Sequence, residues 1–530
     1  MLRKILPQGN QLPKSLFKLF KYVQDRTPSF NVIKHFYCKK CLYYNGIKSK
    51  INKCFSCNTD KSDISFFFEI DICEQLKFMF ENLDLSAKLK PSSLDCDKNI
   101  ITDITDSSEY IRVNSRDNRK KYDLTLILNT DGLSLAKSSK SHCWPLIFVI
   151  AELPKYLRET YMLMIGLWYD ENCKPSMNTF LQPFCSKLQK CFDDGICWTH
   201  PETGEKIISK VVAPLIIADA PARAQLQNIV NFNGKYGCNI CEIKMKKCKK
   251  IRAEKCYRIY PFNKNTSKLR SSYRMHKQAE KVRNSDANNI KGVKGNSIIS
   301  TLPFIDLGTC VIPEYMHSVL LGVTRQFIDL WFNKKGPWNI KKYTKGIDKF
   351  LLNIQPPHIF HRMPRSITLA KFYKASEYYN WMLFYSLPTL VNYLPEKYFQ
   401  HWLLLVKALF ILLKDSIKKV EIEIAQECLK LFVKKTKLLY SDRELTYNMH
   451  QLLHLALIVT RWGPLWATSA FPFENFNGFL ANSVHGQKHM GQEIINNLCI
   501  IQSIQIFKHQ VAEKKLIYLI IKKLKRWVQE

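Results

Sequence analysis

Five segments between residues 122 and 219 constrain the fold more than any other part of the chain. Three are short apolar runs in succession: "YDLTLILNTD" (122–131), "WPLIFVIAEL" (144–153) and "YMLMIGLWYD" (161–170). The fourth, "MNTFLQPFCSKLQKCFDDG" (177–195), carries Phe180, Phe184, Leu188 and Phe192 at helical spacing. The fifth, "KVVAPLIIAD" (210–219), is again an apolar run of strand length. Runs this short and continuous suit strands covered on both faces, and the spaced phenylalanines suit a helix laid over them. The pattern predicts β-β-β-α-β, with "PKYLRET" (154–160) as a turn between the second and third strands. The first and fourth strands both end on a carboxylate, Asp131 and Asp219.

That order, with acids at those two strand ends, is the layout of the ribonuclease-H-like fold, in which the two strands lie side by side. Asp131 and Asp219 would then share one sheet edge, where paired carboxylates repel unless a cation lies between them. Mg²⁺, or Mn²⁺, suits hard oxygen ligands and keeps coordination positions open for phosphate. Two such ions would serve the attacking and leaving oxygens of a phosphodiester. Gly132 beside Asp131 lets backbone and nucleic acid come close. Taken singly, either aspartate also reads as an ordinary turn former.

The charge balance favours a polyanionic partner. There are 80 Lys and Arg against 45 Asp and Glu, a formal +35, and nucleic acid is the commonest large polyanion. Skewed nucleotide composition in the gene would also enrich lysine. Residues 1–21 have no apolar stretch of signal-peptide length, and no run is long enough to span a bilayer, so an intracellular chain without a membrane partner is expected. "HWLLLVKALFILLKD" (401–415), interrupted by Lys407, reads as a core helix. Reduced thiols in close pairs then point to metal rather than disulfides. Cys38-x2-Cys41-x12-Cys54-x2-Cys57 supplies four thiolates on one loop, the donor set of a zinc-ribbon-like module, ringed by Lys39, Lys40, Lys48, Lys50 and Lys53.

Composition divides the chain into a basic N-terminus with the zinc module (1–60), a short helical segment near "ICEQLKFMFENL" with a polar linker (61–116) and the first part of the core (117–241). A basic segment with a helical insertion (242–440) and the core's completion with basic C-terminal helices (441–530) follow. The fold class expected is α/β: a ribonuclease-H-like core interrupted by a large, mostly helical insertion.

Collinear stretches carry a resemblance. "NTDGLSLAKSS", "WPLIFVIAELP", "GLWYDENCKPSMNTFLQPF", "IIADAPARA", "YGCNICE", "PEYMHSVLLGV", "HRMPRSI", "NMHQLLHL" and "WGPLWATSAFPFENFNGFLANSVHG" run in order over roughly residues 120–490. In this the chain resembles eukaryotic DDE transposases of the CACTA (En/Spm-like) group and related animal transposase-domain proteins. The resemblance implies a divalent-metal core that cuts and joins double-stranded DNA, both transposon ends and target. It also implies a helical insertion before a third acid, and a homo-oligomer that holds two ends.

Glu474 in "SAFPFENFNGFLANSVHG" is the expected third acid. On a helix, Phe473, Phe476, Leu480 and Val484 form a core stripe. Glu474, Asn477, Gly478, Ala481 and His485 form a neighbouring stripe suited to metal and DNA. The rival is Glu314 in "PEYMH", where relatives generally carry Asp or Cys; it reads as structural support. Cys238 and Cys241 need two further ligands, and His450 and His454, at i and i+4, suit them better than Cys248 and Cys256. A Cys2His2 zinc would tie the neck of the insertion, an arrangement similar to the catalytic core of the vertebrate antigen-receptor recombinase. The expected activity is that of a nuclear DNA transposase with Asp131, Asp219 and Glu474 as catalytic acids. A transposase-derived DNA-binding scaffold without activity, and a cellular nuclease of the same fold, are the alternatives.

Overall fold

The computed structural model describes residues 15–25, 30–48, 51–83, 85–90, 99–115, 119–135, 141–248, 257–262, 267–360, 362–486 and 489–510. The end of the expected basic C-terminal helices, residues 511–530, together with Lys50 and Cys256, lies outside the described residues. The chain divides into two compact units, one of residues 1–90, 122–212 and 472–530, the other of residues 91–121 and 213–471.

The first unit is built on a sheet. Its strands are β1 (Val32–Cys38), β2 (Tyr44–Gly46), β3 (Ile64–Ile70), β4 (Leu124–Thr130), β5 (His142–Ile150) and β6 (Leu163–Asp170). A hairpin of β7 (Ile196–Thr199) and β8 (Lys206–Ser209) follows, and then the start of β9 (Val211–Ile217). The order across the sheet is β9-β4-β5-β6-β3-β1-β2. The β4–β5, β5–β6, β6–β3, β3–β1 and β1–β2 pairings are all antiparallel. β9 starts beside β4: the Leu124 N–H donates to the Lys210 carbonyl at 2.8 Å, and the Lys210 N–H donates to Asp123 Oδ1 at 2.7 Å. All seven residues of β4 are buried, which is why its sequence shows no polar alternation.

The β-β-β-α-β order stands, with two additions. "PKYLRET" is a short helix, Lys155–Thr160, and the β7–β8 hairpin lies between the long helix and β9. That helix, Met177–Asp193, buries Phe180, Phe184 and Leu188. It comes unusually close to the sheet at Gly166 of β6, where a Cβ would stand 2.4 Å from the Phe184 ring. Residues 64–70, just ahead of the expected helix, form β3. The helix follows at Ile72–Asn82, capped by Asp71, whose side chain accepts from the N–H groups of Cys73 and Glu74. The cysteine-bearing segment is part of the sheet: β1, which ends on Cys38, is paired along its whole length with β3. The Phe471–Asn482 helix joins this unit from residue 472 onward, and its Leu480 packs into a core with Ile70, Met164, Leu167, Ile494 and Leu498.

The second unit is mostly helical. β9 runs into it and pairs in parallel with β10 (Val311–Ile312), so the sheet elements of the chain are mixed in sense. Its longest helices, Glu396–Leu412 and Lys419–Leu439, face one another with Trp402, Leu405, Leu409, Leu429, Phe432 and Val433 buried and Lys407 turned to solvent. Residues 99–115 do not form the linker that their polar composition suggested. Ile100–Ile101 pairs with Ile417–Lys418, the Ser108–Ser115 helix follows, and Ile104, Tyr110 and Val113 are buried. Four buried apolar side chains, Ile101, Ile104, Tyr110 and Val113, anchor a segment whose average is polar. Among the described residues no helix is long and apolar enough to cross a membrane.

Candidate metal centres

The first centre, in the sheet-bearing unit, is made of two turns with the same backbone plan. In one, the Leu42 N–H donates to the Cys38 carbonyl (2.9 Å) and the Cys38 N–H to the Tyr43 carbonyl (3.0 Å). In the other, the Asn58 N–H donates to the Cys54 carbonyl (3.1 Å) and the Cys54 N–H to the Thr59 carbonyl (2.9 Å). Each turn ends on a residue in the left-handed region, Leu42 at φ 59° and Asn58 at φ 58°. The four sulfurs lie within 4.8 Å of one another, with Cys38–Cys57 and Cys41–Cys54 both 3.6 Å apart. Zn–S bonds of about 2.3 Å in a tetrahedron require S···S near 3.8 Å, so this set could hold zinc with little movement. Burial pushes the Cys54 thiol up, but the N–H groups of Cys57 and Ser56 and the Cys41 thiol outweigh it and bring the group to about 6.

The root of this centre is anchored behind Cys38. Tyr37 stacks on Trp168 with ring centroids 3.9 Å apart, and its hydroxyl donates to Asp170 Oδ2 at 2.7 Å. Asp170 also accepts from the Ser65 hydroxyl and from the N–H groups of Asn172 and Cys173. Burial alone would raise that carboxyl; these donors hold it below the ordinary carboxylate range. Sequence reading missed Asp170, because an acid at a strand end carries no sign of what it will accept from.

The second centre lies wholly in the helical unit. Cys238 Sγ is 3.5 Å from His454 Nε2, Cys241 Sγ is 3.3 Å from His450 Nε2, and the two Nε2 atoms are 3.1 Å apart. All four residues are buried. Burial opposes a charged Cys238, yet the Cys241 thiol and both imidazoles hold it well below its ordinary value; burial pulls His454 down, toward the neutral form that ligates metal. Instead of the one α-helix expected to carry both histidines, α-helical turns flank a 3₁₀ turn, Leu452–His454, and the two Nε2 atoms still converge. The supports come from elsewhere in the unit. Arg270 donates to the Cys238 carbonyl at 2.8 Å, Tyr260 stacks on His450, and Gly237 admits the Asn231 carbonyl where a Cβ would be 2.4 Å away. Cys248, the rejected candidate, lies on a separate short hairpin strand, Lys246–Cys248.

The acids divide between the units. In the first, Asp131 follows β4 and accepts from the Gly132 N–H at 2.6 Å; a Cβ on Gly132 would meet the Trp144 ring at 3.2 Å. Glu474 stands in the first turn of the Phe471–Asn482 helix. Although far apart in sequence, Asp131 and Glu474 bring carboxylate oxygens within 4.8 Å of each other, and both side chains are half-buried. The expected stripes on that helix are only partly observed: Phe473 and Leu480 are buried, but so is Asn477, and the helix ends before Val484 and His485. In the second unit, Asp219 caps the Ala220–Leu226 helix, accepting from the Ala222 N–H at 2.8 Å. Glu314 is 1% exposed and accepts from the Met316 and His317 N–H groups, both at 2.7 Å, and from the His317 ring. Its oxygens are occupied by its own loop.

No curated protein matches the chain. Residues 100–302 match the model described as transposase family tnp2, a span that holds Asp131, Asp219, Cys238 and Cys241, and this match supports a transposase family, with DNA as the partner that such a family implies.

Proposed function

We propose that the chain is a DNA transposase of the DDE type, CACTA-like, with a ribonuclease-H-like core, acting in the nucleus on transposon ends and target DNA as a homo-oligomer. Asp131, Asp219 and Glu474 are its catalytic acids. The observation that carries the reading is the approach of the Asp131 and Glu474 carboxylates, which repel one another unless cation or proton intervenes. Oxygen donors of this kind fit Mg²⁺ or Mn²⁺, which when bound supply charge stabilisation and an activated oxygen for in-line displacement at phosphorus.

The protein's own share is positioning. Gly132 lets the Trp144 ring pack against the strand end beside Asp131, where an added Cβ would stand 3.2 Å from it. Leu480 and its partners in the core fix the helix that presents Glu474. Glu314, sealed and hydrogen-bonded, supports its loop instead of ligating a catalytic ion. Zn²⁺ at Cys38, Cys41, Cys54 and Cys57 would order the N-terminal loops, and Zn²⁺ at Cys238, Cys241, His450 and His454 would staple the neck of the insertion. The helix Ser272–Arg283 turns Lys277, Lys281 and Arg283 outward, a surface suited to phosphates.

Nicking of supercoiled plasmid in Mg²⁺ or Mn²⁺ tests the reading. Asp131→Asn, Asp219→Asn and Glu474→Gln should each abolish nicking and leave DNA binding intact, whereas Glu314→Gln in its folded fraction should still nick. A wild-type chain that binds DNA but never cuts it in either metal would leave only a DNA-binding scaffold.

A further inference from the structure

We infer that the two cysteine turns of the N-terminal module form a grip for single-stranded DNA, in which an unpaired base stacks on Phe55 while neighbouring lysines take the phosphates. The inference rests on the proposed zinc at Cys38, Cys41, Cys54 and Cys57 and on DNA as the partner.

The two turns share one backbone plan, so their tips are equivalent positions carrying different chemistry. The first tip is Lys39-Lys40 and the second is Phe55-Ser56. Phe55 is 69% exposed, far more than a phenylalanine in a turn requires for packing. Tyr43 is also exposed, at 47%, and the two aromatic residues are tied together through one buried side chain. Asn45 Oδ1 accepts from the Phe55 N–H at 3.0 Å, and Asn45 Nδ2 donates to the Tyr43 carbonyl at 3.3 Å. Asn45 therefore joins the backbones of the two turns beside both aromatic residues.

Charge identifies the occupant. Lys39, Lys40, Lys48 and Lys53 are all exposed around these tips. Of the two acids beside them, Asp63 is taken up by Lys40 at 2.9 Å, and Asp60 lies across a β-bridge from Lys53. An exposed aromatic set in a cationic rim suits a polyanion with π-faces. In duplex DNA those faces are stacked away; in a single strand, such as the one exposed when an end is opened, they are available. An apolar protein partner would have to desolvate the lysines without compensation.

The test uses the zinc-loaded full chain and measures anisotropy of labelled oligothymidylate and of a duplex of equal length. Phe55→Ala should weaken single-strand binding by about 5- to 150-fold, the span for loss of one stacked base, and leave duplex binding unchanged. Phe55→Tyr should keep both. Zinc content of each variant reports whether the turns still form. If Phe55→Ala loses zinc, cross-linking of the wild type to an oligonucleotide carrying 5-iodouracil replaces it, with the adduct expected on Phe55 or Tyr43. Unchanged single-strand affinity, an equal loss for single strand and duplex, or an adduct confined to other residues would overturn the inference. None of these readouts involves DNA cutting, so the grip and the catalytic reading fail separately.

Discussion

At the scale of single residues, Leu42 and Asn58 are the most informative positions. Each closes a cysteine turn with φ near 60°, where a side chain crowds the following carbonyl at a cost of about 1–2 kcal/mol in the left-handed helical region. Asparagine tolerates this region better than leucine does. Nothing in the sequence marks Leu42 as left-handed, since glycine is the usual occupant of such a turn. The strain is held by the surrounding bonds, including the Thr179 hydroxyl that donates to the Leu42 carbonyl. Leu42→Gly should therefore keep zinc and melt no lower than wild type. Leu42→Val, branched at Cβ, should surrender zinc to a chelator sooner, and identical release rates for the two variants would contradict the backbone assignment.

At the scale of elements, the long helix pair of the second unit contains a buried imidazole. His401 stacks on Phe432 with centroids 4.2 Å apart, its Nε2 donates to the Phe432 carbonyl at 2.8 Å, and Nδ1 has no hydrogen-bond partner among the described residues. Burial pulls its pKa down from 6.5 to about 4. Above pH 6.5 the ring is neutral whether folded or unfolded. Between 6.5 and 4 only the unfolded chain takes the proton, so stability falls with pH, by up to about 3 kcal/mol, and the penalty is constant below that window. His401→Gln should flatten the pH dependence of urea unfolding over that window; parallel curves for wild type and variant would refute it. The same scale shows what the sequence made legible. Strands β4, β5, β6 and β9 and the Met177–Asp193 helix announce themselves because burial on both faces, or on one helical stripe, leaves an unbroken apolar signature. The segment 64–70 did not, because "ISFFFEI" is equally a helix or a strand until its partner is known. Residues 99–115 were hidden for the opposite reason: a few anchoring side chains in a polar stretch barely move its average. Both cysteine-based clusters were readable from spacing, whereas the 3₁₀ turn between the histidines and the Arg270 and Tyr260 supports depend on contacts remote in sequence.

At the scale of the whole chain, each unit has its own candidate zinc centre, and the two should behave differently. The Cys238, Cys241, His450 and His454 set is fully buried, while Cys41 and Cys57 of the other set are exposed. Two zinc ions per chain are expected by elemental analysis, with a chelator removing the exposed one first and one at a time; no zinc after purification in zinc-containing medium would contradict both. Lowering pH should release both ions, because thiolates and neutral imidazoles must take protons. The central claim concerns the acids, and iron-directed cleavage of the polypeptide tests it most directly. With the zinc centres loaded, Fe²⁺ in place of Mg²⁺, plus ascorbate and peroxide, generates short-lived oxidants at the ion. The account predicts backbone cuts beside Asp131, Asp219 and Glu474 that are suppressed by excess Mg²⁺ and lost in Asp131→Asn. Cuts confined to one of these acids, or found only beside the cysteines and histidines, would contradict it.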